Sequence, residues 1–301
     1  MVGEISCLLC GVLGQADLLS DELRDDRSGS HKVWRCRTCG HIQLFQLPSE
    51  EADAVFYSAD RQARNIIPDF DFDVWRQKCA EDTDRRLQWL RGVQPPSARI
   101  LDIGSGYGFF VDACVQAGYE AMGSDLSVQR VELASAHMRG TFHQGLVDEA
   151  FVEQFGQQFD TVTLFHVIEH LPRPVSFLQR CLELLRSGGK LLIEVPNGAD
   201  ALVYSCPPYR SFYWQRAHLS YFDAPRLDLV LRRAGFDEFT VKGVQRYGVR
   251  NLLQWVDVGK PQLAVTAEEA PNPVVLALEQ AYKMHRELAL TCDTLVVEVV
   301  A

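Results

Sequence analysis

Residues Arg99–Phe110 read RILDIGSGYGFF. An apolar run ending at Asp102 meets three alternate glycines, Gly104, Gly106 and Gly108, and then an apolar helix start at Phe109. A strand, a tight turn and a helix N-terminus in that order leave backbone amides open to a ligand, because glycine tolerates a left-handed backbone and lets a ligand approach closely. The spacing also bears on which ligand. A dinucleotide fingerprint needs glycine at the first, third and sixth positions of the turn, and here the sixth is Phe109. A plain structural turn between strand and helix is the alternative reading of the glycines.

Outward from this stretch, the pattern alternates strand and helix. Strand 99–103 and helix 109–117, closed by Gly118, are followed by strand 119–124, which leads to Asp125. Ser127 caps the next helix, and a short strand lies around Phe142. Strand 159–165, helix 174–185, the turn Ser187-Gly188-Gly189 and strand 190–195 come next. Asp223 and Pro225 open a helix that runs through Ala234 and stops at Gly235. Such alternation predicts an α/β fold with a parallel sheet covered on both faces. The stretch from about Thr240 to Asp293 departs from the rhythm: it holds Arg246, Tyr247, Arg250, Asn251 and Trp255, a proline-marked loop near 261–273 and a helix from about Val274 to Leu288. DTLVVEVV then supplies a final strand. Upstream, 50–91 is helical in pattern, and Pro95-Pro96 marks a boundary. The division predicted is a ribbon over 1–50, a helical connector or substrate lid over 51–95, and a domain over 96–301 interrupted by an insertion at about 244–293.

The chain has 301 residues, 47% apolar and 23% charged, which is ordinary for a globular protein with a full core. Its formal charge of −10 argues against a protein that works by neutralising phosphates, so no nucleic-acid partner is expected. The start MVGEIS lacks the basic residues of a secretory signal and no apolar run approaches membrane-spanning length, so a cytoplasmic protein without a membrane partner is expected.

Nine cysteines fall into two groups. Cys79, Cys114, Cys181, Cys206 and Cys292 are scattered, as reduced core residues are. Cys7, Cys10, Cys36 and Cys39 form CLLCG and CRTCG, two CxxC pairs each followed by glycine. Four thiolates in two knuckles satisfy tetrahedral Zn²⁺ and leave no open position, which defines a structural rather than a catalytic metal. Zinc ribbons often bind nucleic acid. Through residue 50, however, five basic residues stand against seven acidic ones, and a near-neutral module lacks that electrostatic footprint.

Asp125 lies 23 residues past Asp102, where an acid can accept both ribose hydroxyls of a bound nucleoside. Residues 159–174 read FDTVTLFHVIEHLPRP, and HVIEH matches the inverted zinc-peptidase pattern. That chemistry requires His166 and His170 one turn apart on a stable helix, and Leu171-Pro172 leaves scant room for one.

The glycine run, HVIEHL, KLLIEVPN from Lys190 and AHLSYF from Ala217 together resemble the class I S-adenosylmethionine-dependent methyltransferases. With the two knuckles, the chain resembles the type 11/type 23 group that carries an N-terminal zinc ribbon, including sugar C-methyltransferases and enzymes of surface-polysaccharide and natural-product pathways. The resemblance implies a Rossmann-like, doubly wound, mostly parallel seven-stranded sheet with an antiparallel last strand. It implies S-adenosylmethionine as cofactor, held by Asp102, Gly104, Gly106, Tyr107, Gly108, Asp125, Leu126, Phe165 and His166, with His170 toward the substrate pocket. Tyr57, in AVFYSA, resembles a tyrosine placed near the substrate in such enzymes, although a packed aromatic explains it as well. The sugar C-methyltransferases of the group carry Glu-His where this chain has Ala217-His218, and a long C-terminal domain follows theirs, which counts against carbon methylation here.

Methyl transfer from a sulfonium is an in-line displacement, so an enzyme must hold the nucleophile and remove its proton. Histidine suits that task. His218 is the first choice for general base and His170 the second, and each also reads as a hydrogen-bonded structural histidine. Arg210, Arg216, Arg246 and Arg250 would suit a phosphate or carboxylate on the substrate, or simply solvent. The function expected is methylation of a small molecule (a sugar, nucleotide sugar or natural-product intermediate), foremost on oxygen, with carbon and nitrogen open. An RNA- or protein-modifying enzyme that uses the ribbon for binding is the alternative.

Overall fold

The computed structural model describes residues 2–24, 26, 29–47, 71–261 and 272–301. It separates into two compact units: one formed by Met1–Leu47, Ile168–Val175 and Glu194–Val297, the other by Pro48–Val167, Ser176–Ile193 and Glu298–Ala301.

The first unit carries a five-stranded antiparallel sheet. Strands β1 (Val2–Ser6), β2 (Leu13–Ser20), β3 (Lys32–Cys36) and β4 (Ile42–Phe45) follow one another as a meander. The fifth strand is not local in sequence. It is β10 (Ser220–Tyr221), from the HLSYF segment, which pairs with β4 through Ser220↔Gln43 and Tyr221↔Ile42. Leu44 N–H donates to the Leu219 carbonyl at 2.9 Å and extends the pairing. Val33, Ile42 and Leu44 bury their side chains with Val203, Tyr213, Trp214, Leu219 and Tyr221 in one apolar cluster. Ribbon and HLSYF segment therefore share a core, with each fully buried aliphatic side chain contributing about 1.5–3 kcal/mol.

The second unit contains the glycine-rich stretch. Helix α1 (Phe72–Val93) starts where Asp71 accepts from the amides of Asp73 and Val74. Strand β5 (Arg99–Ile103), helix α2 (Phe109–Gln116), strand β6 (Glu120–Asp125), helix α3 (Val128–His137), strand β7 (Thr141–Gln144), helix α4 (Glu149–Phe155) and strand β8 (Phe159–Phe165) follow. β5 pairs in parallel with β6 on one side and with β8 on the other, and β6 with β7. β8, FDTVTLF, is buried almost throughout, as expected of a parallel strand covered on both faces. Leu87, Leu90, Ile100, Phe110, Cys114 and Phe165 form the core between α1, α2 and the sheet.

After a single 3₁₀ turn (Ile168–His170) come α5 (Pro174–Leu184), β9 (Leu185–Pro196), α6 (Ala201–Ser205) and α7 (Pro207–Tyr213). Beyond β10 lie α8 (Ala224–Ala234), β11 (Glu238–Val244), α9 (Val249–Val258), α10 (Pro273–Leu288) and β12 (Thr294–Val300). The large sheet is ordered β11-β12-β9-β8-β5-β6-β7, Rossmann-like and mostly parallel, with antiparallel strands at its end. Gly188 N–H donates to the Ala301 carbonyl, while Asn197 N–H donates to the Asp293 carbonyl, so the start of β9 meets the end of β12 and the reverse.

Three local expectations need correction. Ser187-Gly188-Gly189 is not a turn before a strand but part of β9, because Ala301 supplies ladder bonds to both glycines. Residues 238–244 form a strand of the large sheet; β11 ends the strand order and alternates exposure, so it offers no apolar run to read. Helix α9 was hidden because Gly248 caps it without a side-chain bond. By contrast Asp223 accepts from Arg226 N–H, and Gly235 takes φ 98° after α8, as expected from their types.

Candidate cofactor loop, histidine cluster and thiolate site

Because β5, β6 and β8 are parallel, the loops that follow them emerge at one edge of the sheet. The chain goes from β5 to β6 on one side and returns to β8 on the other, and ligands of open α/β sheets bind at such a switch point. Gly104, Gly106 and Gly108 all have positive φ, of 74°, 56° and 78°. A Cβ at Gly104 would lie 2.6 Å from Val167 Cγ2, and one at Gly108 would lie 2.6 Å from the Phe142 ring. At Gly106 a Cβ would meet nothing within 4 Å, so this glycine faces open space.

The loop is tied to β6 by Asp125. Gly106 N–H donates to Asp125 Oδ2 and Ser127 N–H donates to Oδ1, each at 2.9 Å. Asp125 thus caps the turn into α3 even though Ser127 also caps that helix, accepting from Arg130 N–H at 3.4 Å. An ionised carboxylate offers about four lone-pair sites, so two remain for a ligand. Asp102 is buried one strand away. Thr163 Oγ1 donates to Asp102 Oδ1 at 2.7 Å, yet burial pushes this carboxyl up to about 7, with Thr163 and Arg86 opposing.

The other cofactor candidates divide by what they expose. Leu126, beside Asp125, is 49% exposed. The Tyr107 ring is buried, with Phe72 and Trp75 of α1 at centroid distances of 6.3 and 6.5 Å. The Phe165 ring turns into the core, edge-on to Phe110 at 5.0 Å with the Arg86 guanidinium 4.6 Å over its face. The Phe165 ring is therefore taken up by the core, whereas Tyr107 also lines the cavity beside the loop. His166 takes φ 58°, uncommon for a residue with a side chain, immediately after β8. A cavity of about 270 Å³ is lined by Trp75, Arg86, Ser105, Gly106, Phe110 and Arg130 among others. The α1 residues Trp75 and Arg86 were read from sequence only as parts of a helical pattern.

In the first unit, His170 and His218 come together with Glu169. Their ring centroids are 5.0 Å apart, and ligand atoms of all three residues lie within 4.8 Å of one another. His170 Nδ1 donates to the Ala217 carbonyl at 2.7 Å, and its Nε2 lies 3.8 Å from Glu169 Oε1. His218 is buried; Gln215 Nε2 lies 2.9 Å from its Nε2 and 3.2 Å from its Nδ1. Leu219 N–H donates to the Glu169 carbonyl at 2.8 Å, so the strand that joins the ribbon also fixes the 3₁₀ turn. Sequence reasoning weighed Glu169 only as a peptidase base and overlooked Gln215. No periodic signal marks either, since the pairing of distant segments brings them to the histidines. The peptidase arrangement itself is absent: a 3₁₀ turn stands where its helix would be. Tyr57 lies outside the described residues. Arg210 spends its guanidinium on the Val203 and Tyr204 carbonyls of its own helical pair.

The four ribbon cysteines converge as well. Cys7 Sγ is 3.6 Å from Cys39 Sγ, and Cys10 Sγ is 3.9 Å from Cys36 Sγ. Zn–S bonds of about 2.3 Å in a tetrahedron place sulfurs about 3.8 Å apart, so the set fits this ion. Gly11 and Gly40 turn left-handed after each knuckle, and their amides donate to the Cys7 and Cys36 carbonyls. Burial pushes the Cys7 thiol up and that of Cys39 to about 11. Cys36, despite its own burial, is lowered by the amides of Cys39 and Thr38. Helix α8 clamps both knuckles: Arg233 donates to the Leu9 carbonyl, and the Arg226 guanidinium covers the space a side chain at Gly40 would need.

The strand order, with a glycine-rich loop after the central strand, is that of the Rossmann-like α/β domains. The chain belongs to the family described as a methyltransferase domain, whose model matches residues 73–240. It is 34% identical to a ubiquinone biosynthesis O-methyltransferase of Paracidovorax citrulli over 118 residues, which are 37% of this chain and 50% of that protein. To the protein of the same name from Aromatoleum aromaticum it is 32% identical, over the same shares. The chain therefore spans about half the length of the curated relatives it matches. Among solved structures, a SAM-dependent methyltransferase from Archaeoglobus fulgidus has the same fold, with a TM-score of 0.52 at 16% identity over 75% of this chain and 94% of that one. Magnesium protoporphyrin IX methyltransferase from Synechocystis PCC 6803, with bound SAH, gives a TM-score of 0.52 at 16% identity over 84% and 99%. Among the described residues no helix is long and apolar enough to cross a membrane.

Proposed function

We propose that this chain transfers the methyl group of S-adenosylmethionine to an oxygen of a small molecule. The observation that carries the reading is Asp125: its carboxylate holds Gly106 and Ser127 amides and keeps lone pairs for ribose hydroxyls at the edge where the glycine loop opens. Asp102, Gly104, Tyr107, Gly108, Leu126, Phe165 and His166 complete the cofactor set, several through backbone. S-adenosylmethionine supplies an electrophilic methyl on a positively charged sulfur. His218 takes the acceptor's proton, with His170 beside it and Tyr57 near the substrate. Oxygen is favoured because the curated relatives are named as O-methyltransferases. Cys7, Cys10, Cys36 and Cys39 would hold a structural Zn²⁺ that sets the ribbon and, through β4 and β10, the His218 segment. Residues 1–50 would form the ribbon, 51–95 a connector or lid, and 96–301 the transferase domain, with its insertion at about 244–293 shaping acceptor choice. A small acceptor in the cytoplasm, without nucleic-acid or membrane partner, completes the reading.

Calorimetry with S-adenosylmethionine on zinc-loaded protein tests the cofactor, and saturable heat at one equivalent per chain is expected. No heat from folded protein would overturn the proposal. A panel containing catechol and a nucleotide sugar, followed by mass spectrometry, tests the acceptor. An O-methyl product supports the oxygen reading, while a C- or N-methyl product would replace it. His218→Ala should lower turnover about 10²–10⁴-fold with cofactor affinity unchanged.

A further inference from the structure

Helix α2 carries a buried acid that methyl transfer does not use. Asp112 lies in the first turn of that helix and is 4% exposed. Four donors converge on it. Arg139, just past α3, gives its backbone N–H and its Nη1 to Oδ1, at 3.0 and 3.3 Å. Gln116 Nε2 and Arg76 Nη2 donate to Oδ2, at 2.6 and 3.1 Å. A carboxylate offers about four lone-pair sites, so these bonds fill it.

Its two arginines are not filled in the same way. A guanidinium carries five N–H donors. Arg139 gives one side-chain nitrogen to Asp112, and Arg76 gives one that Asp112 shares with Met138 Sδ. The Arg139 and Arg76 side chains are 62% and 47% exposed, so most of both forks faces outward. Asp112 also fixes where they stand. Arg139 holds one carboxylate oxygen and Arg76 the other, so these nitrogens are at most two hydrogen bonds and the width of a carboxylate apart. Planar forks held that close match the oxygens of one phosphoryl group. Because the buried acid already orders both side chains, a ligand has less rotamer freedom to remove.

The two forks open into a crevice of about 680 Å³ between α1 and α2, within the second unit. Ala80, Leu87, Ala113 and Ala117 give it an apolar wall. Arg91 lies at its far end, fifteen residues along α1 from Arg76, which is about 22 Å at 1.5 Å per residue. Three arginines line the crevice against Asp84 and Asp112, an excess of positive charge in a chain of net charge −10. A crevice of this size has room for a small molecule and not merely for an ion.

We propose that this crevice binds a phosphorylated small molecule, with the phosphoryl group between Arg76 and Arg139 and the carbon part along Ala80, Leu87 and Ala113. The site stands apart from the methyl-transfer reading and does not rest on it. Thr83 and Phe109 line both this crevice and the cavity beside the glycine loop, so the test must tell the two apart.

Phenyl phosphate is the probe, titrated into zinc-loaded protein with and without S-adenosylmethionine and followed by amide nitrogen-15 spectra. A saturable shift at the Asp112, Gln116 and Arg139 amides is expected under both conditions. Inorganic phosphate should compete more weakly, and phenol should produce no shift. Arg139→Ala should weaken binding about tenfold or more, through loss of charge-assisted bonds, and Arg139→Lys should restore only part. Arg91→Ala, more than a Debye length away, should change affinity by less than about threefold. If Arg139→Ala fails to fold, the wild-type titration and its competition decide. Absence of a saturable shift in wild-type protein overturns the proposal. Equal weakening by Arg139→Ala and Arg91→Ala does the same, since it would mean diffuse attraction and no built site. Shifts confined to Gly104, Gly106 and Gly108 would put the probe in the cofactor cavity and also overturn it. Inorganic phosphate binding as tightly as phenyl phosphate would overturn the role given to the apolar wall.

Discussion

Replacing Asp125 by asparagine separates its two tasks. The carboxylate accepts from Gly106 and Ser127 amides at 2.9 Å each, one oxygen apiece. Asparagine keeps one acceptor oxygen and sets an NH₂ against the other amide, so one buried N–H loses its partner at a cost of about 1–3 kcal/mol. Urea unfolding should register that loss without ligand. The affinity effect is distinct, because the acceptors intended for ribose hydroxyls lose their charge. Hydrogen bonds to a charged group contribute about 1.5–3 kcal/mol, so S-adenosylmethionine should bind about 10–150-fold more weakly in calorimetry below the unfolding range of both proteins. Ser127→Ala is the control: its capping bond is long, at 3.4 Å, and it should cost about 0.5–1 kcal/mol of stability while affinity stays put. An Asp125→Asn protein that loses the stability but binds cofactor within twofold of wild type would refute the reasoning and reduce Asp125 to a tie between loops.

The buried Asp102 has a pH signature. Its folded value, up to about 7, lies above that of an unfolded aspartate, so the native state binds the extra proton and stability falls as pH rises from about 4 to about 7, by up to a few kcal/mol. Asp102→Asn should flatten that slope in urea titrations at stepped pH; parallel profiles for the two proteins would rule it out. Gly104→Ala drives a Cβ to 2.6 Å from Val167 at φ 74° and should unfold far more readily than Gly106→Ala. The latter pays only the left-handed penalty, about 1–2 kcal/mol, and equal melting temperatures would contradict this. Chelation should release one zinc per chain and abolish methyl transfer along with the β4–β10 pairing, monitored by amide exchange at Ser220 and Tyr221. Persistent protection there after metal loss would show that the pairing stands without it.

Where a feature is local, its residues announce it. Gly104, Gly106 and Gly108 mark a turn because no other residue takes those φ values cheaply, and CxxCG states a knuckle in five positions. Asp223, Pro225 and Gly235 likewise bound α8 by their types. Side-chain direction was less legible. Phe165 follows the alternation of β8 into the core, and the motif alone does not say on which side of the sheet its ring falls. Least legible was what distant pairing creates: nothing near Ser220 says that β4 is its neighbour, and nothing near Gln215 says that Arg24 orients its amide. The histidine cluster is a product of those two contacts, so its two histidines could be named from the chain but the residues that gather around them could not.

The pairing of β10 with β4 also constrains how the chain comes to be folded. During synthesis the first 47 residues emerge long before Ser220 and Tyr221, so β4 waits with a bare backbone edge and Leu44 without its eventual cover. A ribosome stalled before that segment would present an open sheet rim, which chaperones and sticky neighbours both recognise. The small sheet is thus begun well before the strand that closes it has been made.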